Sequence, residues 1–208
     1  MPRVSREQTE KNRTLIEEAA ARLFKSQGLN AVSVANLMAE VGLTHGGFYG
    51  HFESKDELAA VACAKAFEQS EERWARRIEH STDSAAAFVT IVDGYLAHGR
   101  RNTMAEGCPA AALCTDVARE PAGKPVRAAY IDGLRELVET LASLGKQPTD
   151  AARRADALVQ MSTLVGAVVL ARATHGDAIS EDLLAAVKAA LVPASAALAS
   201  ADTASPAH

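Results

Sequence analysis

The sequence is poor in cysteine, in aromatic residues and in long apolar runs. Its 208 residues include three cysteines and 4% aromatic residues. Cys63, Cys108 and Cys114 form neither a paired disulfide framework nor a C-x-x-C metal spacing, which predicts free thiols in a reducing compartment. No unbroken apolar run reaches the roughly 18 residues that a membrane span needs, and MPRVSREQTEKNR lacks the apolar stretch of a secretion signal. These absences predict a cytoplasmic protein.

Strong net charge is lacking as well. The formal charge is -4 overall, with +1 on residues 1–55 and -5 on the remainder. This balance excludes a chain that coats nucleic acid along its whole surface, although a less acidic first quarter can still bind it. No carboxylate pair, nucleophile with its base or phosphate-binding loop stands out, so we predict no catalytic residue, no metal site and no cofactor.

The residues that are abundant favour helices. Alanine, leucine and glutamate are frequent, and valine and isoleucine occur at helical spacing, which predicts an all-α fold. After a first helix over residues 8–27, Ser33 is predicted to cap a second one that ends before Gly42. Thr44 is predicted to cap a third short helix, His45–Gly50. Three such helices joined by tight turns are typical of a helix-turn-helix domain.

The rest of the chain is predicted to form a longer helical bundle. Ser54 and Glu57 make a capping box that opens a connector helix. Further helices are expected near residues 83–98, 109–119, 123–145, 150–175 and 180–192. We therefore predict a helix-turn-helix domain over residues 1–55 and a helical effector-binding and dimerisation domain over residues 56–208. Residues 193–208 are poor in bulky apolar side chains, which predicts a flexible tail.

The segment LTHGGFYGHF places two glycines side by side in an otherwise helical context. Each glycine costs a helix roughly 1 kcal/mol relative to alanine, so the pair indicates either a plain loop or a very close approach by a partner. In a helix-turn-helix, the third helix lies in the major groove. Gly46 and Gly47 would then let the start of that helix lie against the duplex.

The neighbouring side chains suit contacts with DNA. Thr44, His45 and Tyr49 can reach phosphates and base edges, while Phe48 and Phe52 should point into the domain core. The Lys55 ammonium and the free N–H groups of the next helix start would together attract a phosphate. The complete set predicted to bind DNA is Ser33, Thr44, His45, Gly46, Gly47, Tyr49, His51 and Lys55.

The stretch GLNAVSVANLMAEVGLTHGGFYGHFESKDEL resembles the signature of TetR/AcrR-family repressors. The matching positions are Thr44, Gly47, Phe48, Tyr49, His51, Phe52 and Lys55. Gly50 departs from the larger, often basic residue frequent there, so the resemblance does not carry one possible phosphate contact over to this position. The resemblance implies a DNA-binding repressor whose carboxyl-terminal half dimerises and holds a small-molecule effector. An activator, or a helical enzyme or carrier without DNA binding, is the alternative.

Dimerisation is also indicated by the late helices. ALVQMSTLVGAVVLARA is apolar on nearly every face, more than a helix packed on one side requires. Together with the last helix it would form a four-helix bundle with a two-fold copy. The alternative is a central helix buried within one chain. In a dimer, recognition helices about 34–36 Å apart would match successive major grooves of a near-palindromic operator.

The segment AEGCPAAALCTDVAREP bears on the effector. Pro109 suits the first helical position, which makes Cys108 its N-cap, a place that lowers the pKa of a thiol. GCPAAAL also resembles a TetR subgroup that includes sensors of quinones, aldehydes and other electrophiles, and members that bind flavonoids or drugs without covalent chemistry. The sequence therefore offers Cys108 as an electrophile or oxidant sensor, or as a small packing residue.

An effector pocket is expected among the middle helices. On residue type alone, the candidates are Phe88, Tyr95, Met104, Cys108, Tyr130, Leu134, Met161 and Leu164. A stripe of this kind also suits an ordinary hydrophobic core.

Overall fold

A computed structural model of the chain describes residues 5–100 and 104–192, with the backbone alone at 98–100. In these residues every regular element is helical, which confirms the predicted all-α class. The α-helices are α1 (Arg6–Gln27), α2 (Val34–Glu40), α3 (Lys55–Glu79), α4 (Ser84–Arg100), α5 (Pro109–Ala112), α6 (Cys114–Arg119), α7 (Pro125–Leu144), α8 (Asp150–Ala173) and α9 (Ala178–Leu191). Two 3₁₀ helices, His45–Gly50 and Met104–Glu106, complete the set.

The chain forms two compact units. The first unit comprises the residues up to Ser70 together with Met104–Leu134. In it α1 packs against α2, α5 and the Met104–Glu106 turn. Its fully buried side chains include Ile16, Phe24, Leu37, Met38, Phe48 and Leu58. Burial of these apolar side chains stabilises α2 and the His45–Gly50 helix, which are too short to persist in isolation.

The second unit comprises residues from Glu71 to Thr103 and from Arg135 onward. Here α4, α8 and α9 pack on one another around Ile91, Leu164 and Leu184, all of which are fully buried. The Trp74 and Tyr95 rings meet edge to face at 6.3 Å between centroids. The predicted flexible tail, residues 193–208, lies outside the described residues.

The single helix predicted over residues 109–119 is wrong. It divides at Leu113, whose φ of -107° and ψ of -8° leave the regular helical ladder between α5 and α6. The Leu113 side chain is 1% exposed, so the bend delivers it to the core. Burial of a leucine stabilises the fold by roughly 1.5–3 kcal/mol. This is enough to interrupt the helix, although the segment has no helix-breaking residue at the bend.

Among the described helices, α8 is long and apolar enough to cross a membrane by length and composition. A third of its most apolar window is buried within the chain. Length and composition are weak indications here, because the core helix of a folded domain passes the same test. Leu158, Val159 and Leu170 are exposed on α8.

Candidate nucleic-acid interface

The helix-turn-helix is built by local caps and a left-handed glycine. The Ser33 hydroxyl accepts the Asn36 N–H at 3.1 Å and so begins α2 where the sequence predicts. Gly42, at φ +70°, ends the helix and lets the Leu43 N–H return to the Met38 carbonyl at 2.8 Å. This turn is sterically costly for any other residue, and it directs the chain into the next short helix.

That next helix, His45–Gly50, occurs where predicted but has 3₁₀ geometry. The prediction that the Thr44 side chain caps it is wrong, because the Thr44 hydroxyl makes no capping hydrogen bond. In the tighter 3₁₀ turn the Gly47 N–H bonds to the Thr44 carbonyl at 2.9 Å, which removes the donor that a capping hydroxyl would accept. The hydroxyl is therefore left on the exposed edge.

The aromatic residues divide as the spacing predicts. Phe48 and Phe52 are buried and stack with 5.6 Å between ring centroids. Tyr49 is 65% exposed and packs edge to face on Phe48 at 5.3 Å. An exposed tyrosine anchored in this way presents its hydroxyl outward at little further entropic cost.

The glycine pair lies on the surface and has no structural role inside the chain. Gly46 and Gly47 are both exposed, as are Thr44 and His45. A Cβ at Gly46 would meet nothing within 4 Å, and one at Gly47 would lie 3.5 Å from the Thr44 hydroxyl, an ordinary contact. Neither glycine adopts a positive φ. Folding of the described chain therefore gives no reason for glycine at either position.

His51 and Lys55 differ in their surroundings. The His51 carbonyl accepts a hydrogen bond from the Arg13 guanidinium, which lies 4.3 Å above the centre of the Phe52 ring. The imidazole is half-buried, and its Nδ1 has no hydrogen-bond partner among the described residues. Lys55 is the first residue of α3, half-exposed, and makes no ion pair with the part of the chain that the structure describes.

The start of α3 has the predicted cap with one change. The Ser54 hydroxyl accepts the Glu57 N–H at 3.1 Å, whereas the Glu57 carboxylate accepts the N–H of Glu53 at 2.6 Å, not that of Ser54. The neighbouring Asp56 binds the Lys124 ammonium, and this hydrogen bond raises the pKa of Lys124. Asp56 is thus engaged with another lysine, which leaves the Lys55 ammonium available.

Cys108 occupies the predicted N-cap position with Pro109 next to it, but its thiol makes no capping hydrogen bond. It is 6% exposed. The Tyr130 hydroxyl donates to the Ala110 carbonyl at 2.7 Å. Burial raises the pKa of Tyr130, and the nearby thiols of Cys114, Cys108 and Cys63 raise it further. All three cysteines therefore lie near this tyrosine, a grouping that the sequence spacing did not indicate.

The predicted pocket residues fall into both units. Met104, Cys108, Tyr130 and Leu134 belong to the first unit, whereas Phe88, Tyr95, Met161 and Leu164 belong to the second. In the second unit Tyr95, Met161 and Leu164 are buried. Phe88 lines a cavity of about 270 Å³, together with Leu141, Leu144 and Val192, which residue type alone did not single out. In the described residues no group of three or more metal-ligating side chains comes together.

Comparison with known proteins gives consistent matches. A model of a family described as "Bacterial regulatory proteins, tetR family" matches residues 16–62. The HTH-type transcriptional regulator AcrR of Shigella flexneri is 33% identical over 58 residues, which span 28% of this chain and 27% of that protein. The aligned part is therefore about a quarter of the curated relative's length.

Solved structures extend the likeness to nearly the whole chain. A TetR transcriptional regulator from Chloroflexus aurantiacus has a TM-score of 0.73 at 24% identity, over 90% of this chain and 97% of that one. A TetR-family regulator from Agrobacterium tumefaciens has a TM-score of 0.71 at 21% identity, over 91% and 98% of the two chains. At these identities the likeness establishes the fold.

Proposed function

The matched amino-terminal segment and the fold make the chain a member of the tetR family of bacterial regulatory proteins, and from that premise we propose that it is a one-component repressor. Proteins of this family are DNA-binding regulators and not enzymes, which sets aside the helical enzyme or carrier. We propose that a dimer binds a near-palindromic operator in the cytoplasm. A small-molecule effector would release the DNA by favouring a state with lower operator affinity.

The observation that carries this proposal is the exposed edge at the start of the His45–Gly50 helix. Thr44, His45, Gly46 and Gly47 are exposed there, and the two glycines satisfy no need within the chain. A bare edge lets the backbone approach phosphates and base edges closely. Tyr49 and Lys55 would add phosphate contacts beside it, with Ser33 and His51 at the flanks.

Dimerisation is proposed through α8 and α9. On α8 the side chains of Leu158, Val159 and Leu170 are 44%, 65% and 51% exposed, and on α9 Ile179 is 50% exposed. Large apolar side chains at such spacing on one helix form a stripe that favours burial against a partner. A two-fold copy would cover this stripe in a four-helix bundle.

The domain division and the effector site are also proposals. We assign residues 1–55 to operator binding and residues 56–208 to effector binding and dimerisation. The pocket candidates remain Phe88, Tyr95, Met104, Cys108, Tyr130, Leu134, Met161 and Leu164. For an electrophile or oxidant, Cys108 is the candidate site. Its burial and the four-residue length of α5 favour its alternative role as a packing residue.

Operator binding can be tested through its salt dependence. A footprint of the purified protein on the DNA beside its own coding region should reveal a short palindrome, and affinity is then measured at several salt concentrations. Loss of one phosphate contact per subunit lowers the salt slope by about 0.9 for each. We therefore expect Lys55→Ala to reduce the slope by about 1.8 for a dimer.

Lys146→Ala is the matched control for this measurement. Lys146 is exposed and lacks an ion pair within the described chain, so its removal subtracts the same charge away from the proposed interface. Its salt slope should equal that of the wild type. An unchanged slope in Lys55→Ala would exclude Lys55 from the phosphate contacts, and absence of any protected palindrome would overturn the repressor proposal.

A further inference from the structure

Three arginines and a histidine lie together at the carboxyl end of α3. A cleft of about 370 Å³ is lined by Arg73, Arg76, Arg77, His80, Ser81 and Thr90. Its lining includes guanidinium, imidazole and hydroxyl groups but no carboxylate. Glu72 approaches the Arg76 guanidinium at 3.9 Å from outside the lining. Several cationic side chains in a lining that contains no carboxylate are the chemistry of an anion site.

Arg77 is the central group of this cleft. It is half-buried, and its guanidinium lies against α4 in the space that a side chain at Gly94 would fill, since a Cβ there would lie 2.5 Å from Cζ. The guanidinium has no hydrogen bond or ion pair with any described residue. Burial, together with the charge of Arg76, lowers the pKa of Arg77. A half-buried cation without a partner is costly, and a bound anion would offset that cost.

The rim of the cleft is held by hydrogen bonds to the last carbonyls of α3. His80 Nδ1–H donates to the Arg76 carbonyl at 2.6 Å, and the Ser81 hydroxyl donates to the Arg77 carbonyl at 2.6 Å. Thr90, opposite on α4, uses its hydroxyl to donate to the Ala86 carbonyl at 2.9 Å. The bonds of His80 and Ser81 cap the carboxyl end of α3, next to the guanidinium groups of the cleft.

We propose that this cleft binds a small phosphoryl-bearing anion, such as a diphosphate or a phosphate ester. Guanidinium groups present paired N–H donors that match two phosphoryl oxygens, and two or more of them can share one diphosphate. The cleft volume is sufficient for such a group. This site is additional to operator binding and to the effector pocket proposed above.

Inorganic pyrophosphate is the probe, titrated by calorimetry into the full chain without DNA and in phosphate-free buffer. The wild type should bind it saturably, one per chain. Arg77→Gln should weaken binding by at least about tenfold, the effect of one lost charge-assisted contact. The control is Arg154→Gln, which removes the same charge from α8 in the same unit, where Arg154 pairs with Glu139 at 2.9 Å. Its affinity should stay within about twofold of the wild type.

Gly94→Ala tests the geometry without changing the charge. Its Cβ would displace the Arg77 guanidinium, the far end of a flexible side chain, so the fold should survive while binding weakens about fivefold. Thermal unfolding of each variant checks the fold. Citrate, an anion of similar charge without phosphoryl groups, should bind much more weakly.

Four results would overturn the proposal. The first is no saturable binding by the wild type, and the second is an equal loss of affinity in Arg77→Gln and Arg154→Gln. The third is unchanged affinity in a folded Gly94→Ala, and the fourth is citrate binding as tight as pyrophosphate. An equal loss in the two arginine variants would show that binding depends on net charge alone. Equally tight citrate binding would show that the cleft has no preference for phosphoryl groups.

Discussion

Arg13 shows how a single residue can be misjudged from its charge. A cation near the amino terminus would by charge alone suit contact with the DNA backbone, yet Arg13 is engaged inside the first unit. Its guanidinium donates to the His51 carbonyl, pairs with Glu17 at 2.9 Å and lies over the Phe52 ring. An arginine held in this way supports the end of the His45–Gly50 helix. Lys55, without an ion pair in the described residues, is the better candidate for the proposed phosphate contact.

The three thiols should differ sharply in reactivity. Cys63 is 1% exposed and burial raises its pKa to about 12, so at pH 8 it is almost entirely protonated. Cys108 is buried and Cys114 is half-exposed. We expect a thiol reagent at pH 8 to modify one fast cysteine in the native chain, namely Cys114, and the others only after unfolding. Stopped-flow labelling measures this.

Cysteine variants identify which thiol reacts fast and whether Cys108 is needed for operator release. Cys114→Ser should abolish the fast phase, whereas Cys108→Ser should leave it intact. A fast phase that disappears in Cys108→Ser instead would contradict the assignment. Operator release by a quinone can be compared in the same proteins, and equal release from wild type and Cys108→Ser would make Cys108 a packing residue.

At the scale of elements, the broken helix α5–α6 is joined to the first turn of the chain. The Asp116 carboxylate accepts the Leu29 N–H at 2.9 Å, directly after Gly28, whose φ is +88°. A Cβ at Gly28 would lie 2.7 Å from the same carboxylate oxygen. The segment that holds Cys108 and Cys114 is therefore hydrogen-bonded to the loop between α1 and α2.

Removal of this carboxylate should destabilise the first unit. Leu29 is 3% exposed, so in Asp116→Ala its N–H would lose its partner in a buried position. We expect a loss of about 1–3 kcal/mol in the free energy of unfolding, measured by urea denaturation at fixed protein concentration. Asp116→Asn keeps an accepting oxygen and should lose less. Equal stability of wild type and Asp116→Ala would show that water replaces the bond.

The ends of helices were predictable because they depend on neighbours in the sequence. Ser33, Gly42 and Ser54 act at the predicted places, since caps and turns involve groups a few residues apart. The bend at Leu113 was not predictable, because it depends on a core assembled from distant segments. For the same reason sequence analysis found the exposed edge beside Thr44, but neither the grouping of cysteines around Tyr130 nor the cleft at Arg77.

At the scale of the whole molecule, the proposed assembly depends on the stripe of α8. The most exposed member of that stripe is Val159, at 65%. Val159→Glu would place two carboxylates, one from each subunit, in an apolar interface, where each costs several kcal/mol to desolvate. We expect the dimer dissociation constant to rise at least about a hundredfold. Sedimentation analysis measures it.

Ile131→Glu is the control for this variant. Ile131 is 44% exposed, but it lies on α7 in the first unit, outside the proposed interface. Ile131→Glu should leave the dimer intact. Of the two variants, only Val159→Glu should also weaken operator binding. A Val159→Glu protein that remains dimeric would show that the dimer interface lies on another surface.

The two adjacent glycines have a consequence for protein engineering. Alanine at Gly46 or Gly47 would meet no obstacle in the chain, and each replacement would gain up to about 1 kcal/mol. A laboratory population selected for heat resistance alone would therefore tend to accumulate alanine at both positions. Selection that also requires a repressed reporter gene should retain the two glycines, so the difference between the two populations would measure what the proposed operator contact demands of these residues.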